Sequence, residues 1–416
     1  MTAAGADGGD GAIGTLRLPG RIHFGFGTRA QLPEIIATHG RRVLAVIDPF
    51  LPGTENWAEI QGALADAGLQ VSVYSDITPE LPVHTLAAGA EQAREFGADV
   101  VLAVGGGSAL DAAKLIALLA RHDGPLSRYY GENLVPAPVL PVVAVPTTAG
   151  TGSEATPVAV VSDPDREVKV GISSPFLVPA AAVVDPELTL GAPASVTAFS
   201  GIDALVHAVE SYTARPLAAD WSTQLPVFTG RNILMDSIAV QAAGRLGPWL
   251  PVAVAAPGNR MARSEVALGA LLGGIAFSST GTHLCHALQY PIGALTKTPH
   301  GLGTGLLLPY VIEEIITEPA VAERVARLGA ALEEIPLADA SAERTVARVI
   351  AINRAIGVPS TLAELGLTRD QLPQIADLST RSARLLAIAP IDPTLSRLLD
   401  ILERAWAGTL THGSSA

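Results

Sequence analysis

Carboxylate and histidine side chains suited to binding a transition metal are concentrated in two stretches of the chain. Asp203 and His207 lie four residues apart in a strongly helical stretch, which places both on one helix face, one turn apart. Further along, three of the nine histidines fall close together; they are His283, His286 and His300. One carboxylate and two or three imidazoles suit Fe²⁺ or Zn²⁺ and leave a coordination position for a substrate. The pattern predicts a catalytic metal site, and the alternative is a histidine-rich turn without a metal.

Helix-breaking residues separate the last two of these histidines. Pro291, Gly293 and Pro299 do not fit one continuous helix. We therefore expect His286 and His300 to come from two segments that fold back on each other.

A glycine-rich turn, GGGSALDAAK at residues 105–114, directly follows a predicted strand and opens a helix. Glycines allow a ligand to approach the backbone closely, and the free N–H groups and positive dipole end of the helix attract a phosphate. Ser108, with Asp111 three residues later, also resembles a capping box. The motif is not the GxGxxG of the classical dinucleotide fold. A tight strand-to-helix turn with a good N-cap is the alternative to a phosphate site.

A second polar loop, PTTAGTGSEAT at residues 146–156, follows another predicted strand and offers two glycines and five hydroxyl side chains. Such a cluster is commonly a plain surface turn. Ligands in open α/β sheets, however, bind at the carboxyl ends of the strands, where both loops are expected. Asp48 ends a third strand, where an acid accepts hydrogen bonds from ribose hydroxyls and repels a 2′-phosphate; a turn cap is an equal alternative. If the ribose role holds, NAD is favoured over NADP.

The elements that position these residues alternate in the first part of the chain as a parallel sheet requires. Strands are predicted at 41–48, 69–75, 98–108, 139–146, 169–172 and 181–186, and helices at 56–67 and 83–96. Beyond Thr189, Ala- and Leu-rich helices dominate, at 197–213, 233–246, 259–278, 319–334, 340–356 and 394–408. We predict a disordered leader at 1–14, an α/β dinucleotide-binding domain at 15–190 and an all-helical metal- and substrate-binding domain at 191–416.

The composition argues against several classes of protein. With 27 Lys and Arg against 40 Asp and Glu, the chain lacks the basic stripe that a nucleic-acid partner requires. No stretch reaches the roughly 18 to 20 uninterrupted apolar residues of a membrane span, and the N-terminus does not resemble a secretory signal. A single cysteine, Cys285, rules out an intramolecular disulfide and suggests a reducing compartment. We expect a cytoplasmic protein with a small-molecule substrate and no nucleic-acid or membrane partner.

Five motifs, taken in order, resemble those of the iron-containing alcohol dehydrogenase family (group III). They are GGGSALDAAK, PTTAGTGSE, DALVHAVESY, HALQYPIG and PHGLGTGLLLPY. The resemblance runs from about residue 15 to the C-terminus. It implies an α/β, Rossmann-like N-terminal domain and an all-α C-terminal domain, in the fold shared with dehydroquinate synthase. It also implies a homo-oligomer, usually a homodimer.

The resemblance further implies roles for individual residues. It implies a metal held by Asp203, His207, His286 and His300, with His283 outside the ligand set. The cofactor-binding residues that it and the motifs indicate are Asp48, Gly105, Gly106, Gly107, Ser108, Asp111, Thr147, Thr148, Ser153 and Lys169. Of these, Asp48 matches an acid that favours NAD, and Lys169 resembles a lysine near the nicotinamide ribose.

One position departs from the family pattern. Many members carry a second histidine four residues after the third metal ligand, close to nicotinamide and substrate, and Tyr290 stands there in this chain. A tyrosine hydroxyl can relay a proton in its place. We therefore predict Tyr290, together with His286, as catalytic.

The implied function is that of a metal-dependent, NAD(H)-linked alcohol dehydrogenase or carbonyl reductase, with Fe²⁺ preferred to Zn²⁺ and NAD to NADP. The first alternative is a hydroxyacid–oxoacid transhydrogenase or 4-hydroxybutyrate-type dehydrogenase with a tightly held cofactor. An apparent insertion at 214–232 resembles that branch, in which Arg215 or Arg231 is a candidate to hold a substrate carboxylate; solvated loop arginines are the alternative. A metal-dependent lyase or synthase and an inactive scaffold are further alternatives.

Overall fold

The computed structural model describes residues 14–78, 81–166, 169–218 and 220–410. The predicted leader at 1–14 therefore lies outside the described residues, apart from Gly14.

The strands all lie in the first half of the described chain. They are β1 (Arg21–Phe24), β2 (Arg42–Ile47), β3 (Gln70–Tyr74), β4 (Val100–Gly105), β5 (Gly131–Glu132), β6 (Val142–Pro146), β7 (Val158–Val161), β8 (Val170–Ser173) and β9 (Ala181–Val184). Four helices are interspersed with them: α1 (Leu32–Ala37), α2 (Glu55–Asp66), α3 (His84–Phe96) and α4 (Gly107–Leu119). This alternation confirms the predicted α/β organisation.

After β9, all the longer elements of the described chain are helices. They are α5 (Ala194–Thr213), α6 (Ile233–Ala255), α7 (Arg260–Thr280), α8 (Leu284–Thr296), α9 (His300–Ile315), α10 (Pro319–Glu333), α11 (Ala342–Ala355), α12 (Leu372–Thr380), α13 (Ala383–Ala387) and α14 (Leu395–Ala407). Buried Ala, Leu, Val and Ile from nearly all of these helices form one continuous core.

A six-stranded parallel sheet, in the order β1-β9-β6-β4-β2-β3, carries the glycine-rich turn. Every residue of β4 and β6 is buried, which explains why these strands are continuous apolar runs rather than alternating ones. At the carboxyl ends, the Asp48 N–H donates to the Val104 carbonyl and the Thr147 N–H to the Gly105 carbonyl, both at 2.9 Å. The three loops that follow β2, β4 and β6 therefore lie side by side.

A second, three-stranded sheet in the order β5-β8-β7 was only partly predicted. The strand predicted at 169–172 is present as β8, but β5 and β7 were not expected. β7 pairs with β8 in antiparallel fashion and β5 pairs with it in parallel. β5 has only two residues, which is too short for a periodic pattern to reveal.

Prolines interrupt the helices less than expected. α6 continues to Ala255 through Pro248 and Pro251, beyond the predicted end at residue 246. α8 runs through Pro291, so the expectation that this proline separates the two histidine segments was wrong. The break comes at Lys297, which ends α8 in a left-handed conformation with φ 57°, and Pro299 then precedes α9. A proline removes one helical hydrogen bond, and here the buried packing of α8 compensates for that loss.

Within the part of the chain that the structure describes, no helix is long and apolar enough to cross a bilayer.

Candidate active site

The first two predicted metal ligands lie on α5. The apolar composition of this helix buries it almost completely from Gly201 to Thr213, and Asp203 and His207 are buried with it. The Nε2 atom of His207 lies 3.7 Å from Oδ2 of Asp203, as the spacing of one helical turn predicts. Two polar side chains are thus held inside an apolar helix face.

Two further histidines reach the same carboxylate from α8 and α9. Nε2 of His286 lies 3.9 Å from Oδ1 of Asp203, and Nε2 of His300, the first residue of α9, lies 3.7 Å from it. Ligand atoms of Asp203, His286 and His300 all lie within 4.8 Å of one another. The two segments fold back on each other as expected.

These separations fit a metal better than a hydrogen-bonded network. Each nitrogen–oxygen distance exceeds a hydrogen bond. Four ligands arranged tetrahedrally at about 2.1 Å from a metal are about 3.4 Å apart, close to the 3.7–3.9 Å between the Asp203 oxygens and the three imidazole nitrogens. Asp203, His286 and His300 form the compact set, and His207 faces the other carboxylate oxygen. Carboxylate oxygens and imidazole nitrogens are donors that Fe²⁺ and Zn²⁺ both accept. The residues present therefore fit such an ion.

Hydrogen bonds from behind orient two of these ligands. Nδ1 of His286 lies 2.6 Å from Oε2 of Glu210, which directs Nε2 toward Asp203. The Thr304 hydroxyl donates to Oδ1 of Asp203 at 2.9 Å. Burial disfavours the charge on Glu210, but the nearby His283 and His286 outweigh it and lower the pKa of Glu210 to about 2. A carboxylate bound to the outer nitrogen of a histidine is the usual support of a metal ligand.

The imidazoles that lack such support stay neutral. Burial lowers the pKa of His207 to about 4 and that of His300 to about 3, against the opposing effect of Asp203. The pKa of His286 is raised, because Glu210 and Asp203 outweigh the effect of burial. A neutral imidazole is the form that binds a metal.

His283 has a different environment from its neighbours. Its ring is fully buried, with Nε2 3.0 Å from the Thr213 hydroxyl, while Nδ1 accepts from the Leu284 N–H at 2.8 Å and so caps α8. Both ring nitrogens are engaged. His283 thus differs from His286 and His300, whose Nε2 atoms face Asp203.

A cleft of about 200 Å³ connects the histidines to the parallel sheet. Ten of the residues predicted for the site line it: Gly107, Ser108, Asp111, Ser153, Lys169, Asp203, His207, His286, Tyr290 and His300. The other five predicted residues, Asp48, Gly105, Gly106, Thr147 and Thr148, lie at the adjoining strand ends and not in its wall. The cleft therefore runs from the glycine-rich turn to the candidate metal ligands.

Close packing around the glycine-rich turn requires residues without a β-carbon. A methyl group on Gly105 would lie 2.9 Å from Cβ of Asp48, and one on Gly107 would lie 2.6 Å from Cγ2 of Thr151. The helix begins at Gly107 with Gly106 as its N-cap, and no side chain caps its first turn. Its first N–H groups are thus directed toward the cleft, in the arrangement that binds a phosphate.

The predicted capping box of Ser108 and Asp111 does not form. Ser108 lies inside the helix rather than at its N-cap, because α4 begins at Gly107. The Asp111 carboxylate instead accepts from the Ser153 hydroxyl at 2.5 Å and from the Val160 N–H at 2.9 Å. Asp111 therefore ties the second polar loop and β7 to α4.

Asp48 shows the turn-capping contact that was the alternative to a ribose role. Its Oδ1 accepts from the Phe50 N–H at 3.1 Å. Next to it, the Thr148 side chain lies 3.5 Å from the position of a methyl group on Gly106. The three loops thus form one continuous surface at the end of the sheet.

Tyr290 lies one turn after His286 on α8 and faces the cleft. Its ring stacks near that of His300, with centroids 6.1 Å apart. Burial raises the pKa of Tyr290, so its hydroxyl remains protonated at neutral pH. The cleft wall thus contains a protonated tyrosine beside His300.

The insertion at 214–232 forms part of the cleft wall. The Val227 N–H donates to Oε2 of Glu132 at 2.9 Å, and Phe228 lines the cleft. Arg231 pairs with Asp236 at 3.0 Å and Arg215 is exposed; neither lines the cleft. The structure therefore does not support either arginine as a substrate ligand.

Sequence comparison identifies the family. A model of iron-containing alcohol dehydrogenase matches residues 19–186, and a model of the C-terminal part of the Fe-containing alcohol dehydrogenase family matches residues 197–406. The chain belongs to this family. The predicted family, and the α/β and all-helical fold that it implies, are confirmed.

Individual family members resemble the chain along most of its length. Long-chain-alcohol dehydrogenase 1 of Geobacillus thermodenitrificans (strain NG80-2) is 33% identical over 413 residues, which cover 97% of this chain and 100% of that protein. NAD-dependent methanol dehydrogenase of Bacillus methanolicus is 33% identical over 340 residues, 81% of this chain and 85% of that protein. The crystal structure of 1,3-propanediol oxidoreductase matches with a TM-score of 0.86 at 29% identity, over 95% of this chain and 100% of the other. The chain is an oxidoreductase acting on CH–OH groups, as predicted.

Several residues around this iron-containing alcohol dehydrogenase site were not predicted from the sequence. Glu210 continues the helix face of Asp203 and His207, and a carboxylate in such an apolar stretch was a usable signal. Thr304 and Phe277, which stacks on His207 with centroids 4.3 Å apart, carry no comparable signal. Arg384 reaches the cleft from α13, far along the chain from His300, the nearest candidate ligand, so only the tertiary fold reveals it.

Proposed function

We propose that the chain is a metal-dependent, NAD-linked alcohol dehydrogenase that moves a hydride between the carbinol carbon of a small alcohol and nicotinamide. The observation that carries this proposal is the convergence of Asp203 with the Nε2 atoms of His286 and His300 in the wall of the cleft that begins at the glycine-rich turn. A metal centre and a phosphate-binding turn in one small cleft are the two parts that such a reaction requires.

Four residues are proposed to hold the metal, preferably Fe²⁺ and secondarily Zn²⁺: Asp203, His207, His286 and His300. The ion supplies Lewis-acid chemistry, lowering the pKa of an alcohol oxygen. Glu210 and Thr304 keep His286 and Asp203 oriented before it binds. Phe277 covers His207 and limits the access of water from that side.

The glycine-rich turn is proposed to bind the cofactor pyrophosphate through the first N–H groups of α4, with Ser108 beside them. The second loop is proposed to contact the nucleotide through Thr147, Thr148 and Ser153. Asp48 retains one oxygen for a ribose hydroxyl after capping its turn, which favours NAD over NADP. Asp111 and Lys169 face the cleft beyond the turn, and Lys169 is proposed to lie near the nicotinamide ribose.

Tyr290 is proposed to relay the proton of the reacting oxygen. Its hydroxyl is protonated, and it lies on the same face of α8 as His286. His286, the proposed metal ligand one helical turn before Tyr290, is also proposed to be catalytic.

The larger organisation is also a proposal. The division into domains at 15–190 and 191–416 is supported by the confinement of all described strands to residues before 185. The family resemblance supports a homodimer, and the single cysteine supports a cytoplasmic location.

The test is the appearance of free NADH when NAD and a panel of primary alcohols, diols and hydroxy acids are added. We expect absorbance at 340 nm to rise with at least one class of substrate. Asp203→Ala should abolish it while its circular dichroism spectrum still matches the wild type. Hydride exchange between a hydroxy acid and an oxo acid without release of NADH would indicate the transhydrogenase instead. No redox reaction with any member of the panel would contradict the proposal.

A further inference from the structure

Arg384 is a cationic side chain in the cleft that the reaction described above does not use. It lies on the short helix α13 and lines the same cleft as the four candidate ligands. Its side chain is about one-third exposed, with a relative accessibility of 32%, so it is neither buried in the core nor free in solvent. An arginine in the wall of a small cleft is a common means of holding an anionic ligand.

The contacts of Arg384 leave most of its hydrogen-bonding capacity free. Among the described residues, its nearest carboxylate is Glu132, with Oε1 3.9 Å from the guanidinium Nε, beyond hydrogen-bond length. The other oxygen of Glu132 is already engaged by the Val227 N–H at 2.9 Å. A guanidinium carries five donors in a planar fork that matches a carboxylate. Glu132 therefore orients Arg384 without saturating it.

Phe228, from the insertion at 214–232, fixes the plane of the guanidinium. Cζ of Arg384 lies over its ring, 4.4 Å from the centroid. Stacking on an aromatic ring holds a guanidinium in position and leaves its edge free for a bidentate contact. The insertion thus supplies the platform on which Arg384 rests.

A chain of aromatic contacts connects Arg384 with the candidate metal ligands. Phe228 packs with Phe277, and Phe277 stacks on His207. Both rings line the cleft together with Arg384 and His207, so an apolar wall joins the guanidinium to the candidate ligands.

We propose that Arg384 binds the carboxylate of a short ω-hydroxy acid, or of the corresponding aldehyde acid, whose alcohol carbon reaches the metal site. Phe228 and Phe277 give the cleft an apolar wall between Arg384 and His207, against which the methylene chain of such a substrate buries apolar surface. A 2-hydroxy acid has its carboxylate next to the reacting carbon and therefore has no methylene chain between them to pack against these rings. This inference rests on the proposed function and specifies its substrate class.

The test compares each ω-hydroxy acid from three to six carbons with the unbranched alcohol of the same length. In the metal-loaded wild type, kcat/KM should be higher for the acid. Arg384→Gln should lower kcat/KM for the acid by roughly 10- to 100-fold, mostly through KM, and change that for the alcohol by less than about 3-fold. Arg384→Lys should recover part of the loss. Arg215→Gln, which removes an exposed arginine outside the cleft, serves as the matched control and should change neither.

A binding measurement separates failure of this inference from failure of the proposed function. Butyrate should bind to the metal- and NAD-loaded wild type in a calorimetric titration, and Arg384→Gln should weaken this binding by the same roughly 10- to 100-fold factor. Alcohol oxidation with no preference for the acids, and butyrate binding equal in both proteins, would overturn the role of Arg384 and leave the dehydrogenase standing. Equal losses for acid and alcohol in Arg384→Gln, or a preference for 2-hydroxy acids, would also overturn it. Butyrate binding that depends on Arg384 in a protein without dehydrogenase activity would support the anion site and contradict the proposed reaction.

Discussion

At the scale of single residues, hydrogen-bond partners decide what each histidine can do. His283 and His286 are three residues apart in the same segment, and both are buried. The Thr213 hydroxyl and the Leu284 N–H engage both nitrogens of His283, whereas Glu210 engages only Nδ1 of His286 and leaves Nε2 facing Asp203. Two identical side chains thus become a helix cap and a candidate metal ligand.

Replacement of Tyr290 tests the proposed proton relay. Tyr290→Phe removes the hydroxyl and keeps the ring that stacks near His300. We expect kcat for alcohol oxidation to fall roughly 100-fold, with little change in NAD affinity, because a positioned acid or base contributes about that much. Steady-state kinetics and a fluorescence titration with NADH measure the two quantities.

Tyr290→His is the matched variant, because histidine is the residue that many family members carry at this position. It should retain more activity than Tyr290→Phe, since an imidazole can also relay a proton. Wild-type kcat in Tyr290→Phe would show that the proton takes another route.

The side chains of this site differ in how well the sequence could predict them. The shared helix face of Asp203 and His207 follows from their spacing, and the structure confirms that geometry. Thr304 and Arg384 carry no local signal, because their positions depend on how α9 packs beside α5 and how α13 packs beside α8. The metal, cofactor and catalytic roles assigned to the predicted residues stay predictions until they are measured.

At the scale of elements, the second polar loop is held in place by unusually close backbone packing. A methyl group on Gly274 of α7 would lie 2.6 Å from Cα of Gly152, and Gly152 itself has a left-handed φ of 62°. On the other side of the loop, Nζ of the buried Lys114 donates to the Thr156 and Val158 carbonyls, both at 2.9 Å. The loop is therefore clamped between α4 and α7.

Gly274→Ala should displace this loop. The added methyl group meets backbone atoms that cannot rotate away, so we expect a loss of about 1–3 kcal/mol in the free energy of unfolding and weaker NAD binding. Urea denaturation and an NADH titration measure these effects.

Gly62→Ala is the control for a glycine-to-alanine change within a helix. Gly62 lies on α2 with no atom within 4 Å of the new methyl group, so the substitution should stabilise the protein by about 0.5–1 kcal/mol. Equal effects of the two substitutions would contradict the proposed clamp.

Element boundaries were less predictable than element types, and prolines account for much of the difference. Pro248, Pro251 and Pro291 each lie inside a helix that a local reading would end there. Tertiary packing offsets the lost hydrogen bond, and a sequence pattern contains no information on that packing.

At the scale of the whole molecule, the two structural halves each supply part of one cleft. The parallel sheet contributes the glycine-rich turn, and α5, α8 and α9 contribute the candidate metal ligands. This arrangement could be predicted, because alternating strands and helices dictate a parallel sheet whose carboxyl ends bind ligands. The small sheet of β5, β7 and β8 could not, since its short strands pair only in the folded chain.

The most direct test of the account is metal content and activity measured together in wild type, His300→Ala and His84→Ala, after stripping and after refilling with Fe²⁺ or Zn²⁺. His84 is an exposed histidine on α3 and controls for the loss of an imidazole as such. We predict that the wild type and His84→Ala lose NADH formation on stripping and regain it with about one metal ion per chain. His300→Ala should bind the metal at least about 10-fold more weakly and remain inactive. Full activity in the metal-free wild type, or tight metal binding by His300→Ala, would contradict the account.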